Sequence, residues 1–472
     1  MPVDPAYAPA PLHPELGPAF FDPVDAAGFP SHVLRYRNDR WAGRVGLAGL
    51  SEAEWIAHFG RFEPLPENIP QPLALRYHGH QFRSYNPDLG DGRGFLFAQL
   101  RDAEGRLLDL ATKGSGETPY SRQGDGRLTL KGGVREILAT EMLEALGVYT
   151  SKTFSLVETG ESLYRGDEPS PTRSSVLVRL GHSHIRFGTF QRLAYHDDSA
   201  SIAKLVDYTI RNYMPDAWRD DQAERMLAFL ERVLRNVAEM GAQWMAAGFV
   251  HGVLNTDNTV VTGESFDYGP WRFLPHYDPA FTAAYFDHSG LYAFARQPEA
   301  LFWNLCRLAE CLGDFVEIPK LEAVLMGFRE AYPQALVRQV LRRLGLAGSG
   351  DGEADMALVR GMFEFLHDSR IPYERFFFDW HGGRLSESRA AASPEAARYA
   401  SDSFAALRGR LLDQPVAAGL RLDHPYFAGA PCTMLIDEVE AIWAPIAERD
   451  DWSALHAKLE RVAAMREAYG VA

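Results

Sequence analysis

The sequence predicts an α+β fold in two lobes, a small β-rich N-terminal lobe and a larger, mainly helical C-terminal one. Three observations carry this expectation. Short runs of β-forming residues crowd the stretch 73–190 around a single helical pattern. Beyond Phe190 the apolar residues recur at helical spacing. The 472 residues suffice for two or three packed units at roughly 150 residues each. A hydrophobic share of 46% with 24% charged residues is ordinary for a globular chain.

In chain order, residues 1–70 are rich in proline and aromatics with little periodicity, and are expected to form an ordered extension packed on the core. Residues 71–190 make the N-lobe, with strands at 95–100, 107–112, 153–157 and 175–179 and a helix over 134–146 that Gly147 stops. Residues 191–472 make the C-lobe. Met226, Leu230, Val233, Val237 and Met240 form the core-facing stripe of a helix over 221–244, and a second amphipathic helix covers 299–312. The stretches 345–355 and 382–395 read as loops, and no internal repeat is visible.

A net charge of −15 argues against a nucleic-acid partner, because the phosphate backbone rewards a basic surface. Three cysteines, Cys306, Cys311 and Cys432, are too few for a disulfide framework, and the first two fit core packing of a helix. The opening Met1-Pro-Val-Asp-Pro lacks the basic and apolar stretches of a signal peptide, and no apolar run approaches the ~20 residues that span a bilayer. The expected location is the cytoplasm, with no membrane partner.

The chemistry-bearing residues lie in both lobes. His251-Gly-Val-Leu-Asn-Thr-Asp257-Asn258 is followed by Phe266-Asp267-Tyr-Gly269. A carboxylate that accepts a proton, with an amide oxygen and a second carboxylate that hold a metal, is what Mg-nucleotide chemistry requires. Lys113 ends a strand-like run, and Glu136 follows 23 residues later on the expected helix, so the pair can fix an ammonium beside phosphates. Together these form a protein-kinase-like set.

Leu89-Gly-Asp-Gly-Arg-Gly94 leads into a strand, as a glycine hairpin that covers nucleotide phosphates would; an ordinary tight turn reads the same letters. In the second glycine-rich stretch, 114–127, Asp125 and Gly126 suit contact with a base or ribose, or a solvated turn. Arg179 and Arg186 suit bidentate phosphate recognition, although their spacing alone describes surface residues. The pairs His78/His80 and His182/His184 lack a third metal ligand and are expected to pack or hydrogen-bond.

Taken together these motifs resemble the selenoprotein O family, protein AMPylases with a kinase-like fold. The matching stretches are 78–82, 89–93, 113–127, 135–136, 185–190, 251–258 and 267–270, in order across about 75–310; the C-terminal third matches loosely. The resemblance implies that ATP binds inverted relative to protein kinases, with its α-phosphorus toward the acceptor. It implies that Lys113, Arg179 and Arg186 bind the buried phosphates, and that Gly90, Gly92, Arg93, Asp125 and Gly126 line the nucleotide. Asn258 and Asp267 would hold Mg²⁺ (or Mn²⁺), Asp267 also touching ATP, while Asp257 would act as base and Glu136 would orient Lys113. Three departures stand out: Glu117 where many relatives carry Arg, Arg83 where Gly is usual, and an end, Tyr469-Gly-Val-Ala472, without selenocysteine or cysteine. A C-terminal redox switch is therefore not expected.

The function that follows is AMP transfer from Mg-ATP to Ser, Thr or Tyr hydroxyls of protein substrates. The rivals are γ-phosphoryl transfer, UMP transfer, and a nucleotide-binding pseudokinase scaffold. Oligomeric state is left open by the sequence.

Overall fold

The computed structural model describes residues 4–166 and 168–471. Met1–Val3, from which part of the signal-peptide reading was made, and the terminal Ala472 lie outside the described residues. The chain begins with strands β1 (Phe21–Pro23) and β2 (Val33–Arg37) and helices α1 (Asp39–Arg44) and α2 (Glu52–Phe59). There follow β3 (Leu73–Leu75), β4 (Gly79–Gln81), β5 (Ser84–Asn86), β6 (Leu96–Arg101), β7 (Leu107–Lys113), β8 (Leu128–Thr129), α3 (Leu130–Ala145), β9 (Lys152–Leu163) and β10 (Thr172–Gly181). The main sheet is antiparallel in the order β1-β3-β6-β7-β10-β9-β2, with β8 on β10. Both strands at the ends of that path come from the stretch 1–70, so the extension is woven into the sheet.

The pleat sorts side chains between two cores. Val176, Val178 and Leu180 of β10 join Trp55, Phe59, Phe97 and Phe154 on the face covered by α1 and α2. Leu177 points the other way and packs with Val134, Ile137 and Leu138 of α3. Leu177 lies opposite Lys113, and Arg179 opposite Ala111. The alternation therefore puts Lys113 and Arg179 on the α3 face, where Glu136 sits. The Thr129 hydroxyl caps α3 by accepting from Gly132 N at 3.1 Å, and Gly147 follows its end at φ 75°. The helix thus starts four residues earlier than its apolar pattern shows, because Lys131, Gly132 and Gly133 carry no stripe.

Next come α4 (Phe187–Tyr195), α5 (Ser199–Tyr213), α6 (Gln222–Ala247), β11 (Phe249–Val250), β12 (Arg272–Phe273), α7 (Gln297–Glu310), α8 (Ile318–Met326), α9 (Phe328–Arg343) and α10 (Gly352–Ser369). The last are α11 (Tyr373–Trp380), α12 (Glu387–Ala391), α13 (Ala396–Tyr399), α14 (Asp402–Asp413), α15 (Ile436–Arg449) and α16 (Ser453–Ala468). Asp221 caps α6 from Glu224 N at 2.9 Å, and Gly248 ends it in the left-handed conformation at φ 64°. Among the described residues no helix is long and apolar enough to cross a membrane.

Three local expectations are corrected. The stretch 345–355 ends inside α10, where Asp351 accepts from Glu353 N and Ala354 N and starts a helix at Gly352. The stretch 382–395 holds a 3₁₀ turn, Gly383–Ser386, and α12. The turn 89–94 is not a hairpin between neighbouring strands, because the separate β4–β5 hairpin intervenes between β3 and β6. Finally, α15 and α16 return to α3: Lys131 pairs with Glu440 at 2.7 Å and Arg466 with Glu141 at 2.8 Å.

Candidate active site

A cavity of about 670 Å³ opens between the sheet with α3 and the segment after α6, a volume within the range of ordinary ligand sites. Gly90, Gly92, Arg93, Lys113, Asp125, Gly126, Arg179, Arg186, Asp257, Asn258 and Asp267 all line it. At its floor the Lys113 amine donates to Glu136 Oε1 at 2.6 Å and to Asp267 Oδ1 at 2.8 Å. Arg179 Nη2 reaches the same two oxygens at 3.2 Å each. Two cations thus share two carboxylates contributed by β7, β10, α3 and the turn after β11. Burial would raise the Asp267 carboxyl, but Lys113, Arg179 and Arg186 overcome it and hold the group well below the usual carboxylate range.

Arg179 and Arg186 are 5% and 8% exposed, which overturns the surface reading of their spacing. Arg186 pairs with Asp91 at 3.0 Å, and its guanidinium lies 4.2 Å from the Tyr77 ring centre and 5.2 Å from that of Phe266. Burial raises the Asp91 carboxyl, with Arg186 opposing.

The loop after β11 is held by neutral hydrogen bonds. Asn255 Oδ1 accepts from Phe82 N (3.1 Å) and the Tyr292 hydroxyl (2.9 Å), and Thr256 Oγ1 accepts from His80 N (2.7 Å). His251 Nε2 meets the Phe266 carbonyl at 2.9 Å, tying this loop to the Asp267 turn. The side-chain amide of Asn258 donates to Val253 O at 3.1 Å, which aims its oxygen away from that carbonyl. Asp257 Oδ1 is buried and, among the described residues, has no hydrogen-bond partner. Burial pushes the Asp257 carboxyl up to about 6, against the pull of Arg186. A group poised there suits general-base work near neutral pH.

Metal binding can be tested against these groups. Among the described residues no cluster of three or more His, Cys, Asp or Glu is present. One carboxylate with one amide oxygen, beside a cationic cradle, suits Mg²⁺ shared with substrate phosphates better than an all-protein cage. Lys113 and Arg179 bond the same Asp267 oxygen, and among the described residues no hydrogen bond reaches Oδ2. The donor set therefore fits the ion.

Above the floor, the stretch 116–126 folds into a closed loop: Gly116 N donates to Gly126 O at 3.1 Å and Gly124 N to Ser121 O at 2.7 Å. Thr118 and Ser121 hydroxyls bond Asp91 O and Gly92 O at 2.5 and 2.6 Å, and the Tyr120 hydroxyl bonds Asp22. An added Cβ at Gly90 would lie 2.3 Å from Cγ of the Tyr120 ring, so the two glycine-rich segments interlock. Asp125 is paired with Arg165 at 2.8 Å at the cavity edge. Glu117 is exposed and does not line the cavity. Arg83 adopts φ 65°, a conformation that suits glycine, and its side chain pairs with Glu299 at 2.9 Å. His78, His80, His182 and His184 bond Tyr85, Gln191, Tyr149 and Asp109, as packing roles require.

Sequence reading missed Tyr77, Asp91, Tyr120, Arg122 and Arg165 as cavity residues. Asp91 lies within the glycine turn and Arg122 within the 114–127 stretch, so charge inside those segments was the available signal. Tyr77 offered none.

A buried lysine–glutamate pair beside a cationic cavity lined by Asp257, Asn258 and Asp267 suits the chemistry of a nucleotide-dependent transferase. A family model described as protein adenylyltransferase SelO matches residues 6–463. Proteins described as protein nucleotidyltransferase YdiU are similar along nearly the whole length. The relative from Synechococcus elongatus is 44% identical over 98% of this chain and 94% of its own, and that from Gloeobacter violaceus 43% identical over 99% and 96%. The Vibrio cholerae relative is 38% identical over 76% of this chain and 72% of its own. The chain belongs to the SelO family of protein adenylyltransferases, and is a nucleotidyltransferase.

Proposed function

We propose that this chain moves AMP from Mg-ATP to Ser, Thr or Tyr hydroxyls of proteins, in a cleft between the lobes of a protein-kinase-like fold. The lobes are 71–190 and 191–472, with 1–70 packed on the first and supplying the two end strands of its sheet, and the enzyme works in the cytoplasm. The observation that carries this reading is the meeting of Lys113 with Glu136 and Asp267, from distant parts of the sequence, in the cavity that also holds Asp257 and Asn258.

Asn258 and Asp267 would hold Mg²⁺, which when bound supplies charge neutralisation on the phosphates. Lys113 and Arg179, which donate to Asp267 Oδ1 in the substrate-free site, would turn those donors to phosphate oxygens when ATP and the ion are bound. Glu136 keeps Lys113 in place during that exchange. With the β- and γ-phosphates on Lys113, Arg179 and Arg186, the α-phosphorus faces Asp257. Asp257 takes the proton of the acceptor hydroxyl as its oxygen bonds the α-phosphorus. The bond from that phosphorus to the α,β-bridging oxygen breaks, and pyrophosphate leaves with the electron pair.

The test is incubation with Mg²⁺ and ATP labelled at either the α or the γ phosphate, followed by detection of label on protein. Label is expected from the α position alone. Label only from γ would replace AMP transfer by kinase chemistry, and nucleotide binding without transfer would favour a scaffold. Competition by UTP for the α-label would assign UMP transfer.

A further inference from the structure

The cations lining the cavity divide sharply by partnership. Lys113, Arg179 and Arg186 are buried and each bonds a carboxylate. Arg127 is held by Glu161 at 2.9 Å, and Arg165 by Asp125. Among the described residues only the side chains of Arg93 and Arg122 in this group make no hydrogen bond or ion pair, and both are exposed to the cavity mouth. Arg93 belongs to the nucleotide lining already proposed. Arg122 has no role in it.

Arg122 is also held in place by its backbone. It and Gln123 adopt left-handed φ values of 47° and 69°, unusual for two successive residues with side chains. Neighbouring Thr118, Tyr120 and Ser121 bond the 90–92 turn and Asp22, and so anchor the loop above the floor. Arg122 lines the same cavity as Asp257, which marks where an acceptor hydroxyl approaches. A free guanidinium with five donors, set at the mouth of the cavity that holds the base, suits the phosphate nearest the acceptor.

We propose that Arg122 contacts a non-bridging oxygen of the α-phosphate and stabilises the charge gathered there as the acceptor oxygen adds. This rests on the AMP-transfer reading. Covalent changes are those given above: the hydroxyl proton goes to Asp257, the new P–O bond forms, and pyrophosphate departs. Arg122 remains protonated throughout and exchanges no proton. The deep cations serve the leaving group, and Arg122 serves the transferred one. Glu117, exposed and outside the cavity lining, neither competes nor substitutes.

The experiment compares the full-length wild type with Arg122→Ala and Arg122→Lys, using α-labelled ATP, Mg²⁺ and casein as the acceptor probe. Arg122 is exposed and unbonded, so thermal melting is expected to be unchanged. Arg122→Ala is expected to lower kcat about 100-fold, the scale of losing one preorganised donor, with KM for ATP within about threefold of wild type. Arg122→Lys is expected to regain part of the loss.

Unchanged kcat in Arg122→Ala, or raised KM with kcat intact, would overturn the proposal while AMP transfer stands. Wild-type label arriving only from γ-labelled ATP, or no label on casein at all, would reject the AMP-transfer reading and Arg122's role with it.

Discussion

Replacing Asp267 by Asn separates what this residue does for the fold from what it does for the reaction. Its Oδ1 receives Lys113 at 2.8 Å and Arg179 at 3.2 Å. At an effective dielectric near 20 these pairs amount to about 6 and about 5 kcal/mol of gross attraction. Most of that is cancelled by desolvation and because Glu136 serves the same two cations. Hydrogen bonds to charged groups retain about 1.5–3 kcal/mol each. Asp267 is 30% exposed, and solvent screening lowers the total for both bonds to about 2–3 kcal/mol.

Melting without nucleotide, followed by fluorescence, is expected to fall by several degrees at pH 7. The folded carboxyl lies well below its ordinary value. Its stabilisation is therefore complete above about pH 4 and fades as pH falls through the lower folded value, so wild type and variant converge in acid. AMP transfer is expected to drop at least 100-fold, the scale of losing one electrostatic contact to the transition state. Wild-type melting in the variant would refute the shared-cation arrangement. Wild-type transfer would remove Asp267 as a metal ligand.

Two further outcomes follow from the site. Transfer is expected to rise with pH through about 6, as Asp257 loses its proton and becomes able to accept one, and Asp257→Asn is expected to abolish that limb with the activity. A flat profile between about pH 5 and 7.5 would contradict its role as base. Gly90→Ala is expected to displace Tyr120 and with it the 116–126 loop, raising KM for ATP about tenfold or more while melting changes little, since the loop is peripheral. An unchanged KM would show that the two glycine-rich segments act independently.

Much of this arrangement was legible because the strand-rich stretch and the helical stretch differ in period and punctuation. The β-forming run 175–179 and the stop at Gly147 locate β10 and the end of α3, and Lys113 follows from ending a run that reads as strand. The start of α3 was not legible, because its first turn is Leu-Lys-Gly-Gly and only the Thr129 cap marks it. Nor was the depth of Arg179 and Arg186. Arginine is ordinarily a surface residue, and only the sheet register, which puts Arg179 on Leu177's side, shows that it faces α3. The extension 1–70 was read as ordered, but its place at both ends of the sheet depends on long-range pairing with β3 and β9 that no local pattern encodes.

The distribution of charge links site and reaction. A chain of net charge −15 keeps seven cationic side chains around one cavity, facing Asp91, Asp125, Asp257 and Asp267. Three of them, Lys113, Arg179 and Arg186, are buried and carboxylate-bound. Among the described residues, the side chains of Arg93 and Arg122 have no partner and stand exposed. In the AMP-transfer reading a triphosphate would be held by its distal phosphates on the buried three and would present its α-phosphorus to Asp257. A γ-transferring enzyme needs the reverse, with distal phosphate toward the base. Neutralising the buried Arg186 should then weaken pyrophosphate departure more than ATP capture, lowering kcat more than it raises KM; the opposite split would place the transferred phosphate at the floor.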